Sequence, residues 1–501
     1  MQTFEYRVDV ELLKIFPRDI LKEYRLLPVE KGEDYIQFVT DEYPPLTVID
    51  ELDVYSGYRI ELDIIAEKKV KDLVNEYLDA PLETVEGMLD DLDSMSISDF
   101  NNLQLDVEVE NLEELAQEAP VIKLVNAIFT EAIKKGASDI HIEPFEDDIK
   151  LRYRIDGILY ESQAPPRKLF PAITTRIKIM AKLDIAERRL PQEGRIRIRV
   201  LGRELDVRVS FIPTLYGESV VLRLLDRAEV LLELGNLGFN DNLLTTYYDI
   251  INISHGIILV TGPTGSGKTT TLYATLHHLN SAEKKIITIE DPVEYQLDGI
   301  NQIQVKPEID FTFARGLRSI LRQDPDIIMV GEIRDVETAR IAIQAALTGH
   351  LVLATLHTND AAGALSRLVN MGVEDFLLAP TVKAVIAQRL VRVLCPECKR
   401  SYRPGEIDIR EEGFELKPDD NLFEPVGCDN CNDLGYRGRT ALYELLPVSE
   451  EIEEIIARGG KTNEIRKEAR KEGVKSLFAY GWEKIMEGTT TLEEVIRVTR
   501  N

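Results

Sequence analysis

Apolar residues recur with two different periods along the chain, and the change of period divides it into regions. Between residues 235 and 390, short apolar runs (GIILVTG, IITIED, DIIMVGE and LVLATLHT) alternate with helical patterns such as VETARIAIQAAL. Fully apolar strands that alternate with helices are typical of a parallel sheet covered on both faces. We therefore predict a doubly wound α/β domain over 235–390.

Upstream, over 118–230, the strand-like segments alternate apolar and charged residues. The helical pattern PVIKLVNAIFTEAIKKG leads into KLRYRIDGILY, RIRIRVLGRELDVRVSF and VVLRLL, which predicts an α+β domain. The period of two places two groups of arginines each on one face: Arg152 and Arg154, and then Arg195, Arg197 and Arg199. Such a row is commonly the solvated face of a sheet. Arginines concentrated in an acidic chain are also suited to binding an anion, and both interpretations stay open.

The two ends of the chain differ from this middle. Residues 1–83 alternate β-rich runs such as YIQFVT with the helical pattern AEKKVKDLVNEYLD, which predicts a small α+β module. Residues 84–117 contain no Lys or Arg and few aromatic residues, which favours a flexible acidic linker, although LEELAQEA within it is also a plausible helix. Residues 391–440 hold the cysteines, and 441–501 carry helical patterns such as SEEIEEIIARG.

Composition limits the classes of partner. The 501 residues carry 88 Asp and Glu against 60 Lys and Arg, a formal net charge of −28. A broad surface for nucleic acid or anionic lipid is therefore not expected. No apolar run approaches the roughly 18 residues that cross a bilayer, and no basic flank followed by a hydrophobic segment opens the sequence. We expect a cytoplasmic protein that reaches a membrane only through partners.

The segment GPTGSGKTTTL follows an apolar run and fits G-x-x-x-x-G-K-[ST] in full. Its glycines let several backbone N–H groups face one anion, and the following helix adds its N-terminal partial charge. Lys268 can reach the terminal phosphates, and the Thr269 hydroxyl can bind Mg²⁺. A nucleotide-phosphate site is predicted at Gly262, Pro263, Thr264, Gly265, Ser266, Gly267, Lys268, Thr269 and Thr270.

Carboxylates that follow two other apolar strands favour hydrolysis of the nucleotide. ITIEDPVEY supplies Glu290 and Asp291, and IIMVGEIRD supplies Glu332. A carboxylate at a strand end beside the phosphates can polarise a water or hold Mg²⁺ through its hydration shell. Gly331 occupies the place of a typical metal-binding Asp, so Glu332 is the best candidate for the base and Glu290 is a second catalytic candidate. For Glu290 and Asp291, the alternative is that they cap nearby helices.

Two histidines bracket another apolar strand in TGHLVLATLHTND. His350 precedes the strand and is readily explained as a core residue satisfied by hydrogen bonds. His357 lies at the strand end and is followed by Thr358 and Asn359, where a side chain can contact a γ-phosphate. We predict that sensing role for His357.

The chain's four cysteines form two pairs, Cys395 with Cys398 in CPEC and Cys428 with Cys431 in CDNC. This spacing predicts a tetrahedral site for structural zinc, with no open coordination position left for chemistry. Two redox pairs or disulfides are an alternative that a reducing cytosol disfavours. Four spare thiols are the remaining alternative.

Together these segments resemble the secretion ATPase superfamily, and most closely the assembly ATPases of the type II (general) secretion pathway. The resemblance is carried by the Walker A loop, the aspartate box ITIEDPVEYQ, the Walker B segment RQDPDIIMVGEIRD and the histidine box TGHLVLATLHTNDA. GASDIHIEP, YRIDG, AERRLPQEGRI, the tetracysteine segment and GRTALYELL also match. The resemblance extends from about residue 118 to the end of the sequence.

The resemblance implies a RecA-like P-loop NTPase core over 235–390. A PAS-like α+β domain over 118–230 would precede it and close over the nucleotide, after a small N-terminal α+β module. A Cys₄ zinc segment and a helical region would follow. The activity implied is that of a Mg-ATPase, in which four arginines converge on the nucleotide: Arg208, Arg223, Arg367 and Arg439.

The resemblance further implies a homohexameric, cytoplasmic ATP hydrolase that drives pseudopilus assembly and protein export. Residues 1–80 look like the module that docks on the cytoplasmic domain of an inner-membrane platform protein, so that the motor is peripheral to the inner membrane. A type IV pilus assembly ATPase is the alternative within this superfamily. An ATP-gated scaffold and a DNA motor are alternatives from other classes, but no nucleic acid is expected to bind.

Overall fold

The computed structural model describes residues 8, 10–13, 16, 18–32, 35–45, 48–49, 52–53, 56, 58–77, 116, 119–201, 203–226, 233–404, 410–411 and 414–500. They belong to two compact units, Met1–Glu229 and Val230–Asn501. The linker predicted over 84–117 lies outside the described residues apart from Ala116, and so does the segment 227–232 between the units.

The first unit begins with a small sheet of three strands, β1 (Leu27–Lys31), β2 (Tyr35–Thr40) and β3 (Arg59–Ile64). Strand β1 pairs antiparallel with β2, which pairs parallel with β3. The helices of this part are α1 (Val10–Leu13), α2 (Arg18–Glu23) and α3 (Glu67–Tyr77). Phe16 and Phe38 are buried with their rings in edge contact, inside an apolar core of their own. This is the α+β mixture that the pattern predicts.

A second sheet in this unit has six strands, in the order β6-β5-β4-β9-β8-β7 with every neighbouring pair antiparallel. The strands are β4 (Ala137–Pro144), β5 (Ile149–Ile155), β6 (Ile158–Ser162), β7 (Gln192–Val200), β8 (Arg203–Thr214) and β9 (Gly217–Asp226). The helices are α4 (Ala119–Lys134) and α5 (Phe170–Ala181).

One face of this six-stranded sheet is apolar and the other carries charge. In β5, Leu151 and Tyr153 are buried, and the Tyr153 hydroxyl donates to Glu131 of α4 at 3.2 Å. Arg152 and Arg154 alternate with them along the strand and are partly exposed. The register aligns one row across five strands: Arg154, Asp139, Arg223, Arg208 and Arg195. In β7, Arg195, Arg197 and Arg199 are exposed at alternate positions, as the predicted period of two requires.

The second unit is built on a sheet of seven strands. In chain order these are β10 (Gly256–Thr261), β11 (Ile286–Glu290), β12 (Asn301–Gln304), β13 (Ile327–Val330), β14 (Leu351–Leu356) and β15 (Val382–Leu394). The short strands β16 (Arg400–Tyr402), β17 (Arg410–Glu411), β18 (Phe414–Glu415) and β19 (Leu422–Glu424) follow, and then β20 (Tyr436–Pro447).

The order in this sheet is β12-β11-β13-β14-β10-β15-β20. All pairs are parallel except β15 with β20, which is antiparallel. The carboxyl ends of β10, β13 and β14 therefore meet at one edge, which is where ligands bind in open α/β sheets. The boundary predicted at residue 390 falls inside β15, since this strand continues to Leu394.

Helices cover the sheet and extend to the end of the chain. They are α6 (Asp241–Ile251), α7 (Lys268–Leu279), α8 (Phe313–Ile320), α9 (Val336–Leu347), α10 (Ala361–Asn370), α11 (Asp375–Thr381), α12 (Glu450–Ala457), α13 (Thr462–Lys471), α14 (Leu477–Met486) and α15 (Leu492–Thr499). One apolar core runs from Leu234 through the sheet to Val495 of α15, so the last helices pack on the sheet itself. None of the helices in the described part of the chain has the length and apolar character needed to cross a membrane.

Candidate nucleotide site and cysteine cluster

The glycine-rich loop connects the buried strand β10 to helix α7, and its glycines have no substitute. Gly262, Gly265 and Gly267 adopt φ values of 154°, 78° and 84°, a region that side chains disfavour. At the two ends of the loop there is also no room for a side chain. A Cβ on Gly262 would lie 2.6 Å from the Gln388 carbonyl oxygen, and one on Gly267 would lie 2.8 Å from Gln388 Nε2. The loop is therefore shaped against β15.

Lys268 begins α7 and lies across this loop. Its Nζ donates to the carbonyl oxygens of Gly262 at 2.9 Å and Pro263 at 3.0 Å. Burial lowers the pKa of Lys268 to about 8, although the nearby Glu332 carboxylate opposes the shift. The buried Ser266 hydroxyl has no hydrogen-bond partner among the described residues. A buried lysine and an orphaned hydroxyl at a helix N-terminus are the features that a phosphate group would satisfy.

Glu332, Asp291 and His357 converge beside the loop, and Arg334 connects Glu332 to Asp291. Arg334 forms an ion pair with Glu332, and its other terminal nitrogen lies 3.9 Å from Asp291 Oδ2. His357 Nε2 lies 3.6 Å from Glu332 Oε2. The Glu332 side chain is only 15% exposed, whereas those of Arg334 and His357 are 62% and 52% exposed. Arg334 was not among the residues predicted from the sequence, although it lies inside the segment IIMVGEIRD.

Glu290 is the last residue of the neighbouring strand β11, and its burial and hydrogen bonds differ from those of Glu332. Its carboxylate is 3% exposed and accepts hydrogen bonds from the hydroxyls of Tyr273 and Thr288 and from Gln302 Nε2. Burial, and next the charge of Glu290, raise the pKa of Tyr273, so that hydroxyl remains a donor. Both carboxylate oxygens are thus occupied inside the core. This geometry favours a role in positioning α7 against β11 over the catalytic role predicted for Glu290.

The turn after β14 is fastened to the P-loop strand. The backbone N–H of Thr358 donates to Thr261 Oγ1 at 2.9 Å, and the two threonine hydroxyls lie 2.6 Å apart. This places His357 at the carboxyl end of the sheet, as predicted. His350 instead contacts the Ala345 carbonyl oxygen through Nδ1 at 2.8 Å, at the end of α9, which fits the alternative of a structural histidine.

The four predicted arginines are divided between the units. Arg208 and Arg223 face each other on β8 and β9 of the first unit, and Arg223 Nε donates to Asp139 Oδ1 at 3.0 Å. Arg367 and Arg439 lie in the second unit, exposed on α10 and β20. Each pair lies within its own unit, so the convergence of all four on a nucleotide stays a prediction.

All four cysteines are free thiols gathered in one cluster. Their Sγ atoms lie within 4.8 Å of one another, with separations of 3.9 Å for Cys395 and Cys428, 3.8 Å for Cys398 and Cys431, and 3.7 Å for Cys428 and Cys431. A tetrahedron with Zn–S bonds of about 2.3 Å has edges of about 3.8 Å. Disulfides would need sulfurs about 2 Å apart. The donor set therefore fits a tetrahedral metal ion.

Backbone groups support the same cluster. The N–H of Gly427 donates to Cys398 Sγ at 3.4 Å, and the N–H groups of Cys428 and Gly435 donate to Cys431 Sγ at 3.3 and 3.2 Å. Hydrogen bonds of this kind favour the thiolate form that binds metals. CPEC begins directly after β15, and CDNC lies shortly before β20. The cluster thus brings together the beginning and the end of the segment that connects these two paired strands.

Comparisons with known proteins identify the family of the chain. The family described as "Type II/IV secretion system protein" matches residues 114–497, and the MshEN domain matches residues 3–84. The type IV pilus assembly ATPase PilB of Myxococcus xanthus is 45% identical over 98% of this chain and 87% of its own length. The type II secretion system protein E of Xanthomonas campestris is 48% identical over 96% of this chain and 84% of its own.

Solved structures are similar as well. The pilus retraction motor PilT with bound ADP is 28% identical with a TM-score of 0.52, over 75% of this chain and 97% of that one. The ATPase DotB of Legionella pneumophila has a TM-score of 0.54 over 74% of this chain and 94% of that one, and its 23% identity bears on the fold alone. The expected RecA-like P-loop fold is confirmed.

Proposed function

Since the chain belongs to the Type II/IV secretion system protein family, and is an ATPase of that family, we propose that it is a cytoplasmic motor of type II secretion. In this proposal, ATP hydrolysis drives assembly of a pseudopilus and, through it, protein export. The observation that carries the proposal is the meeting of Lys268, Glu332 and His357 at the carboxyl ends of three neighbouring parallel strands.

Each of these side chains has a distinct role in the proposed hydrolysis. Lys268 exchanges its bonds with the loop carbonyls for the β- and γ-phosphates, because a phosphate is the stronger partner for an ammonium. Glu332 orients and deprotonates the attacking water once Arg334 turns from its carboxylate towards the phosphates. His357 contacts the γ-phosphate from the far side of Glu332. The ion pair of Arg334 with Glu332 would keep the base inactive until nucleotide arrives.

Magnesium fits the donors on this side of the loop. The exposed Thr269 hydroxyl follows Lys268 directly, and the Asp291 carboxylate is 35% exposed near Glu332 and Arg334. When bound, Mg²⁺ would neutralise charge that develops on the phosphate oxygens. We assign Thr269 as the direct ligand and Asp291 as a contact through a metal-bound water.

Four arginines would complete the site when the domains or subunits close. We propose that Arg208 and Arg223 supply charge to the transition state and that Arg367 and Arg439 bind the nucleotide. An arginine that enters a site only on closure can be worth roughly 10³ to 10⁵ in rate. Hydrolysis would then be coupled to rigid-body motion of the 118–230 domain about the segment near 230.

The remaining parts of the proposal concern zinc and partners. The cysteine cluster would hold structural zinc, supported by sulfur separations that match a tetrahedral site. The motor would be a homohexamer, and residues 1–83 would dock on the cytoplasmic domain of an inner-membrane platform protein. Membrane association would come only through such partners, and no nucleic acid would bind.

Type IV pilus assembly is the second candidate function, favoured by the match to PilB over 98% of this chain. Both systems are expected to share the ATPase site, so only the cellular process separates them. A strain that lacks its own gene for this protein would be complemented and assayed for protein export and for surface pili. Restored export without pili supports the type II proposal, and restored pili without export supports the alternative.

The biochemical test is steady-state release of phosphate from Mg-ATP by the full chain. We expect turnover by the unchanged protein, and none above background for Lys268→Ala. DNA should not stimulate the rate. Full turnover by Lys268→Ala would contradict the phosphate role of this lysine, and an unchanged protein that binds ATP without hydrolysing it would favour the ATP-gated scaffold.

A further inference from the structure

Two buried polar residues of β15, Gln388 and Arg389, lie directly beside the P-loop, and none of the motifs discussed above includes them. Thr261, the last residue of β10, is in register with Ala387, so the next two residues of β15 run alongside the loop. Gln388 is 2% exposed and Arg389 is 6% exposed. Buried polar groups inside an apolar strand are costly unless they are fully hydrogen-bonded.

Gln388 contacts the P-loop at both ends. Its carbonyl oxygen and its side-chain Nε2 are the atoms that would clash with side chains at Gly262 and Gly267. Its Oε1 accepts a hydrogen bond of 2.8 Å from Thr271 Oγ1, in the first turn of α7. Gln388 therefore holds β15 against the loop and against the start of the helix.

Arg389 spreads its guanidinium over three carbonyl oxygens that belong to separate parts of the unit. Nη1 donates to Gln388 at 3.0 Å, Nη2 to Asn359 at 2.9 Å, and Nε to Val498 at 3.2 Å. Asn359 lies two residues after His357, and Val498 is in the last turn of α15. A planar fork with fixed donor directions is suited to hold three acceptors in one geometry.

The same turn is held from its other side. Asp360 caps α10 by accepting from the Gly363 N–H at 2.7 Å, and it forms an ion pair of 2.6 Å with Arg466 of α13. Glu444 of β20 accepts from the Ala361 N–H at 2.9 Å. The segment that carries His357 is thus fixed by contacts from β15, β20 and the C-terminal helices. A shift of this segment by about 1 Å would be enough to misplace a catalytic contact.

We propose that Arg389 is a positioning residue for the hydrolysis of ATP. It holds the His357–Asn359 turn at a fixed place relative to the P-loop and to the end of α15. This inference rests on the proposed function, since it assumes that His357 contacts the γ-phosphate. It adds that the C-terminal helix is part of the support of the phosphate site. In this proposal Arg389 acts through the turn and not by its own contact with the nucleotide.

A double-mutant cycle with His357 tests this inference. In the otherwise unchanged chain, Arg389→Ala should lower kcat for ATP by about 30-fold, while the affinity for ATP changes by less than about threefold, because positioning affects the reaction more than binding. In a His357→Ala background, the same change should lower kcat by less than about threefold, since its target is gone. Arg389→Lys should recover only part of the lost kcat. A lysine keeps the positive charge, but its one ammonium cannot reach all three carbonyl oxygens.

Arg392 provides a matched control on the same strand. Its side chain is 14% exposed, donates to Glu494 of α15 at 2.8 Å and stacks on Tyr436 of β20, so these contacts connect β15 to α15 and β20. Arg392→Ala should lower the melting temperature as much as Arg389→Ala and leave kcat within about twofold at a temperature where it is folded. This control separates a local loss of stability from a loss of positioning.

Several results would overturn the inference. An equal loss of kcat in both backgrounds would show that Arg389 does not act through His357, and an unchanged kcat in Arg389→Ala would remove the role altogether. If Arg389→Ala fails to fold, the same double-mutant cycle can be measured with Arg389→Lys. The inference then requires that Arg389→Lys lowers kcat less in the His357→Ala background than in the otherwise unchanged chain. If the unchanged protein hydrolyses ATP but the two substitutions lower kcat independently, only this inference is refuted. If the unchanged protein does not hydrolyse ATP, the proposed function is refuted as well.

Discussion

We expect Lys268 to make ATP binding dependent on pH, in a direction and by an amount that follow from its burial. In the free protein its pKa is about 8, and its ammonium donates to the carbonyl oxygens of Gly262 and Pro263. Phosphates placed beside Nζ stabilise the ammonium and should raise the pKa of Lys268 in the complex, so that it stays charged over the range considered. Binding then takes up a proton whenever the free lysine is neutral, so affinity must fall as pH rises through 8.

The size of the effect follows from the fraction of neutral lysine. With a pKa of about 8, about 9% of the free protein carries a neutral Lys268 at pH 7 and about 91% at pH 9. The dissociation constant should therefore rise about tenfold from pH 7 to pH 9, which corresponds to about 1.4 kcal/mol. Below pH 7 this lysine should contribute almost no further change.

Calorimetric titration with a non-hydrolysable ATP analogue and Mg²⁺ measures both quantities. Two buffers of different ionisation enthalpy at each pH would report proton uptake of about 0.1 at pH 7 and about 0.9 at pH 9. Lys268→Arg is the matched control, because its guanidinium stays charged throughout and should remove most of the slope. An affinity that is constant between pH 7 and pH 9, or an equal slope in Lys268→Arg, would refute the reasoning.

Three further predictions concern the base, the cysteine cluster and a buried carboxyl group. Glu332→Gln should bind ATP and hydrolyse it at least about 10²-fold more slowly in a phosphate-release assay; a near-normal rate would assign the base to Asp291 or Glu290. Cys395→Ser, or removal of metal by a chelator, should unfold the 391–440 segment before nucleotide binding is lost, and metal analysis of fresh protein without zinc would contradict this. Burial raises the pKa of Glu444 to about 7, so its charge destabilises the folded state as pH rises from 4.5 through 7. Glu444→Gln should therefore stabilise the protein by up to about 3 kcal/mol at pH 8 and by little at pH 5, and an equal shift of the melting temperature at both pH values would exclude this origin.

The strands and the P-loop were predictable because their signals are local. Each apolar run of the second unit became a buried strand, since a strand covered on both faces needs apolar residues at every position. The pairing of β15 with β20 was not predictable in this way. Its register joins Leu394 to Tyr436 across the whole cysteine segment, and no short window of sequence contains both strands. The boundary predicted at 390 consequently cut through a continuous strand.

The candidate site shows the same limit at single residues. Glu290 and Glu332 look equivalent in sequence, because both follow an apolar strand. What separates them is Tyr273 and Gln302, which enclose Glu290, and Arg334, which leaves Glu332 near the surface of the loop. Tyr273 and Gln302 come from other elements than Glu290, so their effect on it depends on the tertiary fold. The only local hint to the missed residues of β15 is a Gln-Arg pair inside the apolar run AVIAQRLV.

Gly331 explains why the acidic residue of this strand stands one position later than usual. Its N–H donates to the Ile289 carbonyl oxygen at 2.8 Å, and a Cβ at this position would lie 3.2 Å from that oxygen and 3.3 Å from the Glu290 Cα. An aspartate here would crowd β11 and displace the strand end that holds Glu290. With a glycine at this position, β11 and β13 can approach closely. The acidic residue of the segment is then the next one, Glu332, which is within reach of Arg334 and His357. The departure from the usual motif therefore places the acidic group one residue later, at the position where we propose that it activates water.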